Sequence, residues 1–356
     1  MSRNSETEDG PSQNSVSGVD CSAEGNLLPV ASQPRQPRSL QDLLRYSTEA
    51  SCALGEPTQV APARILDEET RNFVEEAIKS VTIDVVEELL KSIKVLKEAN
   101  SIPEDGDTTQ CEEALDNIFD YVDNLDVAND FHKIGGFCIL RPCLESMHSS
   151  LRWRGAELIA ELCQNNPYCQ NKVLEIQLMP CLLQMIDSDT EDTVRIKALY
   201  AVSCLARDNK EGLEEFVNCD GFSVLLRALQ TDIQKLNTKA AFLLTSLCQG
   251  NSQIQDNLVN MGYIELLISQ LSTNVQICDE GRKSSVEHLL NAVLAIATDN
   301  ESAQEICRKP ELQFKNLLDF VIKNSEDNDQ YMEENEYAKS LVQIIFGEPE
   351  NAEEDR

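Results

Sequence analysis

A chain of 356 residues can bury one large core or two ordinary ones, and 62 Asp and Glu against 30 Lys and Arg leave it a net charge of −32. So negative a field repels phosphate backbones and anionic membrane surfaces, which argues against nucleic acid or a membrane as partner. The opening MSRNSETEDG lacks the order of a secretion signal and no apolar run is long enough to span a bilayer, so the sequence predicts a cytosolic protein with 13 reduced cysteines.

Residues 1–62 are expected to be a disordered arm, because Ser, Asn, Pro, Gly and Gln dominate it and no aromatic residue precedes Tyr46. Within it, 39–46 form a short amphipathic island, with Leu40, Leu43 and Leu44 at helical spacing and Tyr46 at its end. Such an island either binds a partner or docks on its own domain.

Residues 63–125 read as N-terminal capping helices. One stripe runs through Phe73, Val74, Ala77, Ile78 and Val81, another through Val85, Val86, Leu89, Leu90, Ile93 and Leu96, and Pro103 and Gly106 mark a loop after them.

From 126 to 325 the chain repeats itself about four times. LRWRGAELIAELCQNN (Leu151 to Asn166) overlays VRIKALYAVSCLARDN (Val194 to Asn209), LNTKAAFLLTSLCQGN (Leu236 to Asn251) and HLLNAVLAIATDN (His288 to Asn300). The period is about 42 residues, lengthened before the last copy by the polar stretch from Ser272 to Ser285. Half a repeat away a second anchor recurs as Gly136-Phe137, Leu178-Met179, Gly221-Phe222 and Gly262-Tyr263, the glycines marking corners. Each unit is therefore a short helix, a corner, a second helix, a polar loop and an Ala-rich third helix. That pattern predicts an all-α, right-handed solenoid of armadillo type, although two-helix HEAT units have overlapping periods, because such a unit leaves an apolar face that only a stacked neighbour can cover. Residues 326–356 add a C-terminal capping helix, with Ala338, Leu341, Val342 and Ile345 as its apolar face and Gly347 and Pro349 ending it, then an acidic tail.

Catalytic motifs are missing. His132, His148 and His288 stand at no ligand spacing, phosphate-binding glycine loops and nucleophile elbows are absent, and the carboxylates around Glu333 read as a solvated face. No enzyme activity, metal or cofactor is expected.

In a stacked armadillo rod the third helices line the concave wall. Residues four apart on them form a ladder of Trp153 and Glu157, Ile196 and Tyr200, Thr238 and Phe242, flanked by a basic row of Arg152, Arg154, Arg195, Lys197 and Lys239. Aromatics beside cations are enriched in protein interfaces. Each cation could equally pair with an acid one repeat away, and Trp153 could be core.

The segments SLQDLLRY, LRWRGAELIAELCQNN, DTVRIKALYAVSCLARDNKEGLEEFVNCDGFSVLLRALQ and KAAFLLTSL resemble the heat-shock-protein-70-binding family of animals, relatives of the Fes-type factors of fungi, from about Gln36 to Phe346. The resemblance implies a co-chaperone whose concave face embraces one lobe of the chaperone's ATPase domain and releases ADP. It also implies that the arm, here Leu40 to Tyr46, reaches the substrate-binding domain and hastens client release. An armadillo adaptor for extended peptides is the rival, but it would need an Asn ladder where this chain has Glu161, Cys204 and Ser246. An inhibitor of a chaperone-associated ubiquitin ligase is a further alternative and could coexist with exchange.

Overall fold

The computed structural model describes residues 84–275, 280–325 and 331–347, without the side chains of 280–284. The chain divides into two units, Met1–Val74 and Glu75–Arg356, and every described residue belongs to the second. The expected arm, its island of Leu40, Leu43, Leu44 and Tyr46, and the stripe from Phe73 to Val81 lie outside the described residues.

Regular structure among the described residues is entirely helical. Helix α1 (Val85–Leu96) starts where the Asp84 carboxylate accepts the N–H groups of Val86 and Glu87 at 3.1 and 3.2 Å, and it pairs with α2 (Thr109–Val122) as an incomplete first layer. Leu89, Ile93 and Leu96 are buried as the stripe predicts, but Val86 and Leu90 from the same stripe are exposed.

Three-helix units follow. The first is α3 (Leu125–Lys133), a 3₁₀ turn (Gly136–Ile139) running into α4 (Leu140–Leu144), and α5 (Ser149–Cys163). The second is α6 (Pro167–Glu175), α7 (Met179–Ser188) and α8 (Asp192–Ala206); the third is α9 (Lys210–Asn218), α10 (Gly221–Leu229) and α11 (Gln234–Cys248). The fourth is α12 (Ser252–Asn260), α13 (Tyr263–Asn274) and α14 (Glu280–Ala297). A fifth unit comes after it, α15 (Glu301–Cys307), α16 (Phe314–Ser325) and α17 (Met332–Phe346), so the boundary expected at 326 falls inside a repeat. The C-terminal helix is the third helix of that unit, with Ala338, Leu341 and Ile345 buried against α14 and α16.

Two kinds of corner set the period. At the end of each third helix a residue turns left-handed, Asn165, Asp208, Gly250 and Asp299 at φ 52°, 54°, 71° and 58°. The next residue is the repeat-closing Asn, and its side chain caps the following helix. Asn166, Asn209, Asn251 and Asn300 accept the N–H of Cys169, Gly212, Ile254 and Ala303 at 3.2, 2.9, 3.2 and 2.9 Å. Three of the amide groups also reach the preceding unit, where Asn166 donates to the Asn129 Oδ1 at 3.2 Å, Asn209 to the Gln170 Oε1 at 3.1 Å and Asn300 to the Asp256 Oδ1 at 2.8 Å. Asn166, Asn209 and Asn300 are buried because they are bonded on both sides, whereas Asn251 is half-buried.

At the other corner the left-handed residues are Gly135, Gln177, Asp220 and Gly262. The second anchor is corrected accordingly. Gly262 is a corner residue, whereas Gly136 and Gly221 sit one position later, and Tyr263 is their counterpart. Gly136 and Gly221 make room: a Cβ on either would meet the ring of Phe131 or Phe216 at 2.5 or 2.3 Å. Where the preceding helix carries the smaller Val173 or Leu258, the same place takes Leu178 or Tyr263. The volume is shared differently and the core stays filled.

The third helices α5, α8, α11, α14 and α17 stack one on the next, with α2 against α5. They pack together more extensively than the second helices do, so their row forms one continuous wall.

Candidate protein-binding wall on the third helices

Along this wall, side chains of one unit lean on those of the unit before. Lys197 forms an ion pair with Glu157, Lys239 places its ammonium 5.3 Å from the centre of the Tyr200 ring, and His288 meets the Phe242 ring edge-on at 5.8 Å. Aligned by their closing asparagines, Lys197, Lys239 and His288 occupy one column and Glu157, Tyr200 and Phe242 another. Glu157, Tyr200 and Phe242 of the expected ladder thus each meet a side chain of the next unit.

Its N-terminal end is acidic. Trp153 is half-buried under the Arg154 guanidinium, 4.3 Å from the ring centre, with the Lys197 ammonium at 6.0 Å. Arg154 is held from behind by Glu112 at 3.5 Å and Asp116 at 3.3 Å. A cleft of about 360 Å³ opens here between α2 and α5, lined by Asp116, Phe119, Asp123, Trp153, Glu157 and Glu161 among others.

The middle is aromatic. The Tyr200 hydroxyl donates to the Gln164 Oε1 at 2.8 Å, and burial pushes its pKa up to about 12. Ile196 is half-buried beside it, and the Thr238 hydroxyl donates to the Gln234 carbonyl while touching the Ser285 hydroxyl at 3.1 Å. Phe242 is 42% exposed and carries the Arg207 guanidinium 5.2 Å from its ring centre. Burial lowers the His288 pKa, against the pull of Glu333.

The basic row divides. Arg154, Lys197 and Lys239 belong to the wall, but Arg152 and Arg195 turn into the joints between helices. Arg152 donates to Asp189 at 2.7 and 2.9 Å and to the carbonyls of Ser146 and Met147, and Arg195 donates to the Ile186 carbonyl at 2.8 Å. In the third unit Asn237 does the same for the Thr231 carbonyl at 2.8 Å. This position satisfies carbonyls left open near the end of the second helix, so its polar residue recurs for a reason of folding.

Sequence reasoning missed Arg207. It caps α8, one position beyond the last helical residue, and looks like the end of an element. The signal was its alignment with Gln164 and Gln249, each ending a third helix.

Cys163, Cys204 and Cys248 are buried, and desolvation raises all three thiols, Cys204 to about 11 and Cys248 to about 12. Among the described residues no cluster of three metal-binding side chains occurs, and no helix is long and apolar enough to cross a membrane.

Comparison with known proteins places this geometry. Residues 127–232 match the SIL1/FES1/HPBP1 C-terminal domain, and residues 40–131 match the nucleotide exchange factor Fes1. Hsp70-binding protein 1 of Mus musculus is 34% identical over 348 residues, covering 95% of this chain and 94% of its own length. The protein of that name from Homo sapiens is 34% identical over 331 residues, 90% and 89% of the two chains. The Hsp70 nucleotide exchange factor FES1 of Coccidioides immitis is 29% identical over 180 residues, 49% of this chain and 81% of its own. Among solved structures, a designed armadillo repeat protein in complex with the peptide (KR)4 superposes with a TM-score of 0.58 at 15% identity, covering 74% of this chain and all (100%) of that one. A second designed armadillo repeat protein gives 0.56 at 15%, covering 70% and 98%. The fold is the armadillo solenoid.

Proposed function

The chain belongs to the family of Hsp70-binding protein 1 and Fes1, and from that membership we propose that it is a nucleotide exchange factor for a heat-shock protein 70 chaperone. Its third-helix wall grips one lobe of the chaperone's ATPase domain and ADP leaves faster. The match to Hsp70-binding protein 1 along nearly the whole chain carries the proposal.

The wall suits the task. It is stacked, and its side chains are already held by their neighbours across unit joints, so little ordering is lost on binding. A partner that fits the open arrangement of the two lobes better than the closed one must weaken nucleotide binding, because linkage is reciprocal. No catalytic residue is needed. The island from Leu40 to Tyr46 supplies the second activity, contact with the substrate-binding domain that hastens client release, and the protein works in the cytosol.

The peptide-adaptor reading fits the wall less well. Peptide capture needs side-chain amides, but Cys204 is buried and the Ser246 hydroxyl is bonded to the Phe242 carbonyl of its own helix.

Stopped-flow release of a fluorescent ADP analogue from the chaperone tests the proposal. Saturating protein should speed release on the order of tenfold or more. An unchanged rate would sink it.

A further inference from the structure

We infer that Arg207 and Lys239 form an anion site at the centre of the wall that takes a carboxylate side chain of the chaperone. The inference rests on the exchange-factor reading for its partner and on the geometry of the second and third units for its place.

The Arg207 Nε is buried and has no hydrogen-bond partner. Repeat symmetry explains how that arises. One unit earlier the residue capping the third helix is Gln164, and its carbonyl is satisfied by the hydroxyl of Tyr200 on the next third helix. At the following joint the cap is Arg207 and the facing aromatic is Phe242, which has no hydroxyl. The ring supports the guanidinium plane and leaves its polar edge unanswered. The buried Nε, left orphaned, destabilises the free protein, and the two terminal nitrogens, which are not buried and make no hydrogen bond among the described residues, are the part of the guanidinium a partner can reach.

Lys239 approaches the same place from α11. It is exposed, lies over Tyr200 and forms no ion pair among the described residues, although Asp and Glu outnumber Lys and Arg two to one in this chain, 62 to 30. Arg154 and Lys197, further up the wall, are both paired. Lys239 and Phe242 stand one turn apart on α11, and Arg207 lies over Phe242, so the two cations come to the same stretch of the wall. Glu161, an acid whose field reaches the Cys204 thiol, pairs with neither. Two cations without an ion pair among the described residues flank exposed Phe242 and half-buried Tyr200. A guanidinium edge matches a carboxylate, and the rings keep water from competing for it.

The test uses the full chain with the isolated ATPase domain, Kd by calorimetry at low and high salt, and thermal unfolding of each variant. Arg207→Met keeps the stem that packs on Phe242 and removes the orphaned donor, and Lys239→Gln removes the exposed charge that lies over Tyr200. The wild type should bind, Arg207→Met should bind on the order of tenfold more weakly, and Lys239→Gln should lose several-fold, each with a shallower salt dependence. The Arg207→Met melting temperature should stay level or rise, which separates a binding role from a structural one. Wild-type affinity and salt slope in both variants would overturn the site and leave the exchange-factor reading standing. A wild type that fails to bind would overturn that reading and the site with it.

Discussion

The Cα of Gly221 lies so close under the ring of Phe216 that a Cβ there would sit 2.3 Å from its Cε2 atom. Backbone freedom is not the reason for this glycine, since it starts α10 and its left-handed neighbour is Asp220. On helix propensity alone Gly221→Ala would stabilise, but the clash should cost about 1–3 kcal/mol instead. Adding Phe216→Leu should recover part of the loss, because the fourth unit pairs Leu258 with a large residue, Tyr263, at this place. Urea unfolding of the single and double variants measures both.

Arg152 and Asp189 form a two-pronged pair at 2.7 and 2.9 Å, with side chains 16% and 8% exposed. Arg152→Met strands the carboxylate and should cost about 3 kcal/mol. Burial pushes the Asp189 pKa up, but the hydrogen bonds from Arg152 and the Glu191 N–H, with the charges of Arg152 and Arg195, hold it below its ordinary value of 3.8. A carboxyl depressed in the folded state contributes stability that is fully present above its unfolded pKa and is lost as pH falls toward the folded one. Between pH 5 and pH 3, unfolding free energy should therefore fall less steeply in Asp189→Asn than in the wild type.

Asn209 accepts from Gly212 and donates to Gln170, so it serves two units at once. Asn209→Asp keeps the acceptor and loses the donor; Asn209→Ala loses both. The alanine variant should lose about 1–3 kcal/mol and the aspartate variant less. Chemical denaturation ranks them.

Arg195 and Lys197 are two residues apart and do different things. Arg195→Glu removes the donor to the Ile186 carbonyl and should lower stability by about 1–3 kcal/mol. Lys197→Glu combined with Glu157→Lys exchanges the members of a half-buried pair while keeping both charges matched and should melt within a few degrees of the wild type. If the wall binds the chaperone, the exchanged pair should still weaken the complex, because its field is reversed.

The arm and the solenoid should separate functionally. Deleting residues 1–62 should leave ADP release close to wild type and slow the release of a model client peptide, and Leu43→Ala with Leu44→Ala should reproduce the client defect. A tethered segment acts at high effective concentration even when it binds weakly alone. Loss of ADP release on deletion would assign the arm to exchange itself.

The repeats were legible because their helices share a period and close on the same residue, Asn166, Asn209, Asn251 and Asn300, whose cap leaves a mark in sequence. The fifth unit was not, since its first helix is short and its corner uses Gln313 at φ 47° where glycine was the expected sign. Glycine itself misled the reading of the fourth unit. Gly262 supplies a left-handed corner and Gly221 supplies space, and a letter in a sequence does not say which. On the wall, Tyr200 and Phe242 were recognisable from spacing, but the side chains that lean on them come from other units. Arg195 and Lys197 look alike in sequence, and only the path of the chain shows that one faces a carbonyl and the other a carboxylate.

The two edges of the rod differ in how strictly they count residues. Where a third helix passes to the next unit, three residues intervene each time, as in 164–166, 207–209 and 249–251, because a left-handed turn and an asparagine must fall in fixed order. Between second and third helices the connection varies, from 145–148 through 189–191 to 230–233. Insertions and deletions that would break the molecule on one edge are absorbed on the other. A longer loop on that permissive edge leaves the spacing of the wall's own rungs unchanged.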